Sequence, residues 1–126
     1  MASRSDIELV LSTLDEFEDV RRVPEAKALW DVSVVVDGTS PVRLLVDNGI
    51  NEIYVQGILR DPCLDANPAL LLEVLQGYGT VGLASLQGDL CLRGSCFLEY
   101  SQVHAITNTL LSVVYAFNDY RGRLAA

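Results

Sequence analysis

The residues of this chain that could do chemistry are few: a glycine pattern, three cysteines, one histidine and an acidic run. Residues 77–82 read GYGTVG, which spells G-x-G-x-x-G. A dinucleotide-binding loop needs a strand before the glycines and a helix after them, so that phosphate sits on the helix N-terminus. Here an apolar helix precedes and a strand follows, and a phosphate would meet the negative end of the helix dipole. The stretch GYGTVGLA also has the look of a kinase-type glycine loop between strands. That chemistry needs a lysine on a following strand, and Lys27, far upstream, is the only lysine. The glycines therefore read as a helix stop at Gly77 or Gly79 and a tight strand entry at Gly82.

Cys63, Cys91, Cys96 and His104 could be gathered into a Cys3His zinc set, but no C-x2-C pair is present. Cys91 and Cys96 are five apart, so a regular strand turns them to opposite faces. Buried or free thiols are the plain reading. A Cys–His nucleophile pair would need an orienting group, and Glu99 is the nearest carboxylate in sequence. The run Asp15, Glu16, Glu18 and Asp19 lacks the glycine and the spacing of a calcium loop. The expectation is a chain with no catalytic residue, no metal and no cofactor, hence not an enzyme.

The 126 residues suit one domain, residues 1–126, and half of them are hydrophobic. The formal charge of −8 disfavours nucleic acid and anionic membranes, which both require clustered Lys and Arg. No run is long and apolar enough to span a bilayer. The first residues lack the basic and apolar regions of a secretory signal. Three cysteines cannot all pair within one chain. A reducing, cytoplasmic setting is expected.

Elements follow from periodicity. Ser5 and Glu8 form a possible capping box. Ile7, Val10, Leu11, Leu14 and Phe17 then recur at helical spacing, which predicts a helix over about 6–21. Trp30, Val32, Val34 and Val36 alternate with Asp31 and Ser33 in a strand, and Val42, Leu44 and Val46 alternate in a second. Asn48-Gly49 signals a hairpin into a third, Glu52 to Leu59. Asn67 and Pro68 are suited to the cap and first position of a helix over 68–77. A hairpin turning at Gln87-Gly88-Asp89 and a helix over about 102–120 complete the chain. The last helix carries a stripe of Val103, Ile106, Leu110, Val113 and Phe117, widened by Leu111, Val114 and Tyr115. The order is α-βββ-α-ββ-α, an α+β domain with one antiparallel sheet and helices packed on it.

The Trp30 row is expected to face the core. The opposite row then carries Leu29, Val35, Leu45, Tyr54 and Ile58, an apolar candidate surface for another protein or a second copy. The 68–77 helix is apolar almost all round and needs cover on several sides, which adds Leu71 and Val74 to the candidates for a dimer contact.

The stretch NPALLLEVLQGYGTVGLASLQGDLCLRGSCFLEY, with the closing VVYAFNDY, resembles the type III secretion chaperone-like fold. The likeness is to the class I type III secretion chaperones and to the YbjN family. It lies in a leucine-rich helix, a glycine-containing bend, a strand pair and a last helix, and the element order covers nearly the whole chain. The resemblance implies a non-catalytic homodimer that holds a client or regulatory protein. The alternatives are a YbjN-like sensory or regulatory domain with a ligand, or a small enzyme dependent on Cys91, Cys96 or His104.

Overall fold

The computed structural model describes residues 4–13, 17–22, 29–36, 40–49, 51–59, 67–86, 88–98 and 103–125. Helix α1 (Arg4–Thr13) is followed by strands β1 (Phe17–Arg22), β2 (Leu29–Val34), β3 (Val42–Asn48) and β4 (Glu52–Ile58). Helix α2 (Pro68–Leu75), strands β5 (Val81–Leu86) and β6 (Asp89–Phe97), and helix α3 (Val103–Ala125) complete the order. The class is α+β, as the sequence indicates. All six strands join one antiparallel sheet in the order β1-β2-β3-β4-β6-β5.

The first predicted helix is half right. It stops at Thr13, and Phe17–Arg22 is a strand paired with β2. The apolar spacing through Phe17 suits a helix in isolation. Pairing wins because β2 would otherwise have one edge without a partner, and a ladder supplies those backbone groups with hydrogen bonds. The sheet thus has six strands rather than five.

Alternation decides which side is the core. Trp30, Val32 and Val34 on β2, Val42, Leu44 and Val46 on β3, and Ile53 and Val55 on β4 are all buried. They meet Ile7, Val10 and Leu11 of α1, Leu71 and Val74 of α2, and Ile106, Leu110, Val113, Phe117 and Tyr120 of α3. Each fully buried large side chain contributes about 1.5–3 kcal/mol. Val103 and Tyr115, expected in the α3 stripe, are exposed instead.

Helix α3 packs on β6, β4, β3 and β5, while α1 and α2 pack on α3. Its close approach depends on Gly94, where an added Cβ would lie 2.8 Å from Val113 Cγ2 and 3.3 Å from Thr109 Cγ2. Asn67 caps α2 as expected: its Oδ1 accepts from the Leu70 N–H at 3.0 Å, with Pro68 in the first turn. Gly88, in the β5–β6 turn, has φ +87°, a conformation that strains any residue with a Cβ.

Candidate functional site

The glycine pattern sits between the end of α2 and the start of β5, the helix-then-strand order that sets it apart from a phosphate cradle. The Gly77 N–H donates to Val74 O at 3.0 Å and so closes the helix. Gly79 does not take a positive φ; among the described glycines only Gly88 does.

The two described thiols separate by face. Cys91 lies on the sheet side away from the helices and is buried; Cys96 lies on the helix side and is half-buried. Burial raises the Cys91 thiol pKa above its ordinary value, against smaller opposing effects of Arg93 and an Ala84 backbone hydrogen bond. A thiol held protonated this way is a poor nucleophile. Cys63 and Glu99 lie outside the described residues, as does the acidic run at 15–16. Among the described residues no three His, Cys, Asp or Glu side chains gather as metal ligands.

Cys96 and His104 do share a cleft. It has a volume of about 280 Å3 between the end of β6 and the first turns of α3, and Thr80, Asn108, Thr109 and Ser112 also line it. Thr109 Oγ1 donates to Ala105 O at 2.8 Å and Ser112 Oγ donates to Asn108 O at 2.7 Å. Both hydroxyl protons are thus turned into the helix, and the oxygen lone pairs are left for any visitor. Among the described residues that line this cleft there is no carboxylate, lysine or arginine.

The predicted apolar row runs along the side of the sheet opposite the core. Leu45, Tyr54 and Ile58 are half-buried on the helix-free side of the sheet, and Val35 is half-buried just past β2. Leu29 begins β2 opposite Asp47, and its side chain lies outside the described residues. Polar groups divide this side. Arg43 Nε donates to Asp31 Oδ1 at 2.9 Å, and the hydrogen bond with Asp31 raises the Arg43 pKa. Arg93 donates to Gln56 Oε1 at 2.9 Å, and its guanidinium lies 5.6 Å from the Tyr54 ring centroid. The side is a mosaic rather than an apolar plate.

Leu71 and Val74 are corrected outright. They are 0% and 2% exposed inside the chain's own core and leave no area for a partner. Of the large hydrophobic residues of α2, Leu72 is the exposed one. The apolar circumference of this helix calls for cover from its own chain or from a partner, and α3 of the same chain packs on it.

The two sheet edges differ, and this difference was missed in the sequence. The β1 edge, FEDVRR, carries four charges in six residues and has an irregular register between Glu18 and Arg21. Charges and bulges are the devices that keep an edge from pairing with another chain. The β5 edge, VGLASL, has no charge, no proline and no register shift. Its direction can be worked out. Leu59 N–H donates to Leu90 O at 2.9 Å and Leu98 N–H to Asn51 O at 2.8 Å. Antiparallel alternation then turns the backbone of Leu90, Leu92, Gly94, Cys96 and Leu98 toward β4. The residues between them turn the other way, and Gly82, Ala84 and Leu86 of β5 meet them. Leu83 and Ser85 therefore point their N–H and C=O groups outward, and no described residue bonds them there. The Leu83 side chain is 37% exposed beside them.

In comparison with known proteins, no family model matches the chain, and no curated protein matches it in sequence.

Proposed function

We propose that the chain is a non-catalytic protein-binding module, chaperone-like or regulatory, that works as a homodimer through the β5 edge. The uncharged, unblocked β5 edge opposite a charged, irregular β1 edge carries this reading. A two-fold axis perpendicular to the sheet keeps the helices of both copies on one side. Opposed residues must then share a face, so the pairing centred on Leu83 sets Leu83 against its own copy, Gly82 against Ala84 and Val81 against Ser85. No like charges oppose in that register, although the whole chain carries −8. The free thiols of Cys91 and Cys96 support a reducing, cytoplasmic setting.

Light scattering on Leu83→Lys tests the reading. Lysine on an edge strand is a natural block to pairing, and position 83 is exposed enough to accept it. The parent should show twice the monomer mass at micromolar concentration and the variant the monomer mass, with unchanged circular dichroism. A parent that stays monomeric over a wide concentration range would remove the interface.

A second reading, a thiol-dependent enzyme or ligand sensor, draws support from the cleft that Cys96 and His104 share. Alkylation by iodoacetamide separates the two. A Cys96 rate far above that of a free thiol at neutral pH, lost in His104→Gln, would favour the enzyme.

A further inference from the structure

Strand β6 is longer than the strand beside it. Residues Glu52 to Ile58 of β4 flank Phe97 to Cys91, but β5 begins only at Val81, opposite Gly94. Among the described residues, Ser95, Cys96 and Phe97 therefore have a strand neighbour on one side alone. The alternation derived above turns the N–H and C=O of Ser95 and Phe97 away from β4 into the lane beyond the start of β5, and no described residue bonds them there. Thr80, which would continue β5 alongside Ser95, is instead in a turn closed by the Val81 N–H to Tyr78 O bond at 3.1 Å. Phe97, 65% exposed, flanks the lane.

We infer that this overhang is a docking slot for a short extended segment of a partner protein, carrying an Asn or Gln side chain into the cleft beside Cys96. The inference rests on the protein-binding reading above and names a second site, distinct from the β5 edge. Three residues of strand span about 10 Å, so the slot takes a tripeptide backbone and four hydrogen bonds, two each from Ser95 and Phe97. The partner residue opposite Cys96 shares its face, the helix side, and sits in the closer, non-hydrogen-bonded pairing. Its side chain enters the cleft between β6 and α3. There the Thr109 and Ser112 hydroxyls offer lone pairs, and the Asn108 side-chain amide offers both a donor and an acceptor. A carboxylate would meet those lone pairs within a chain of net charge −8. An ammonium would find no carboxylate among the described lining residues. A neutral amide matches the lining and brings no charge to bury.

Blocked pentapeptides Ac-Thr-Val-Xaa-Val-Thr-NH2 with Xaa as Gln, Leu or Glu test this by amide NMR titration of the intact protein. The Gln peptide should shift Ser95, Phe97 and Asn108 and bind at least tenfold tighter than the other two. Ser95→Pro removes an N–H that no described residue accepts, and Asn108→Leu fills the cleft from an exposed position. Each should lose the Gln preference while keeping the oligomeric mass of the parent. Equal binding of all three peptides, or full binding by Ser95→Pro, overturns the slot. Shifts confined to Leu83 and Ser85 overturn it too, but leave the sheet-edge reading standing. A parent monomeric in light scattering that still binds the Gln peptide at Ser95 and Phe97 would remove the dimer and keep the slot.

Discussion

A single methyl group at two glycines should have opposite effects. At Gly94 the added carbon would lie 2.8 Å from a Val113 methyl, so α3 or the strand must shift. Gly94→Ala should lower stability by about 1–3 kcal/mol. At Gly79 the added carbon meets nothing within 4 Å, and the backbone is outside the left-handed region. Gly79→Ala should be neutral or stabilising by up to about 1 kcal/mol, since it restricts the unfolded chain. Urea denaturation of the two variants checks both. A destabilised Gly79→Ala with an unaffected Gly94→Ala would mean that the helix–sheet contact is elsewhere.

Cys91 gives a pH dependence with a definite sign. Below the ordinary thiol range folded and unfolded chains both hold the proton, and the contribution to stability is complete. As pH rises past about 8.5, the unfolded thiol ionises first while the buried one stays protonated. Stability should fall from there through the raised value of the folded state. Tyr78, raised by burial and by Asp119, adds a second loss in the same direction above about pH 10. Denaturation midpoints followed across this range should decline, and Cys91→Ala should flatten the first part. In the same range Cys96 should react with a maleimide in the folded protein and Cys91 only after unfolding. A midpoint that rises with pH would contradict the burial of Cys91.

At the scale of elements, what could be read depended on whether the signal was local. Asn67-Pro68, Asn48-Gly49 and Gly88 specify a helix start and two turns through their own backbone chemistry, and each lies where the sequence places it. The strand at 17–22 was hidden because its partner, β2, is not its neighbour in any local pattern. The apolar spacing of Leu14 and Phe17 suits a helix until tertiary pairing is counted. The same limit applied to α2. Its apolar circumference showed that it must be covered, but not that its own chain supplies the cover. The β5 edge was readable in part: a strand without charge or proline is visible in VGLASL, but that it lies at an edge follows only from β6 slipping in beside β4.

At the scale of the whole molecule, the facing of the sheet was legible from one strand. Asp31 and Ser33 marked one side of β2, and Trp30 is 4% exposed on the other. The emission maximum of the native protein should therefore be blue-shifted and should move red on denaturation. Emission already at the solvated wavelength in the folded state would reverse the sheet. The cleft was not legible, because Cys96, His104 and Asn108 meet only through the crossing of α3 over β6, and Gly94 gave no sign of permitting it.

That crossing also fixes an order in time. Helix α3 covers β3, β4, β5 and β6, and it is synthesised after all of them. At about 5–20 residues per second, its 23 residues take roughly 1–5 s to emerge once β6 is complete. For that interval the nascent sheet presents Val55, Leu92 and Leu44 to whatever is nearby. The two glycines that seat the helix, Gly57 under Phe117 and Gly94 under Val113, then form a bare seam where the meander meets the last hairpin. The chain therefore depends, each time it is made, on the prompt arrival of its own last helix.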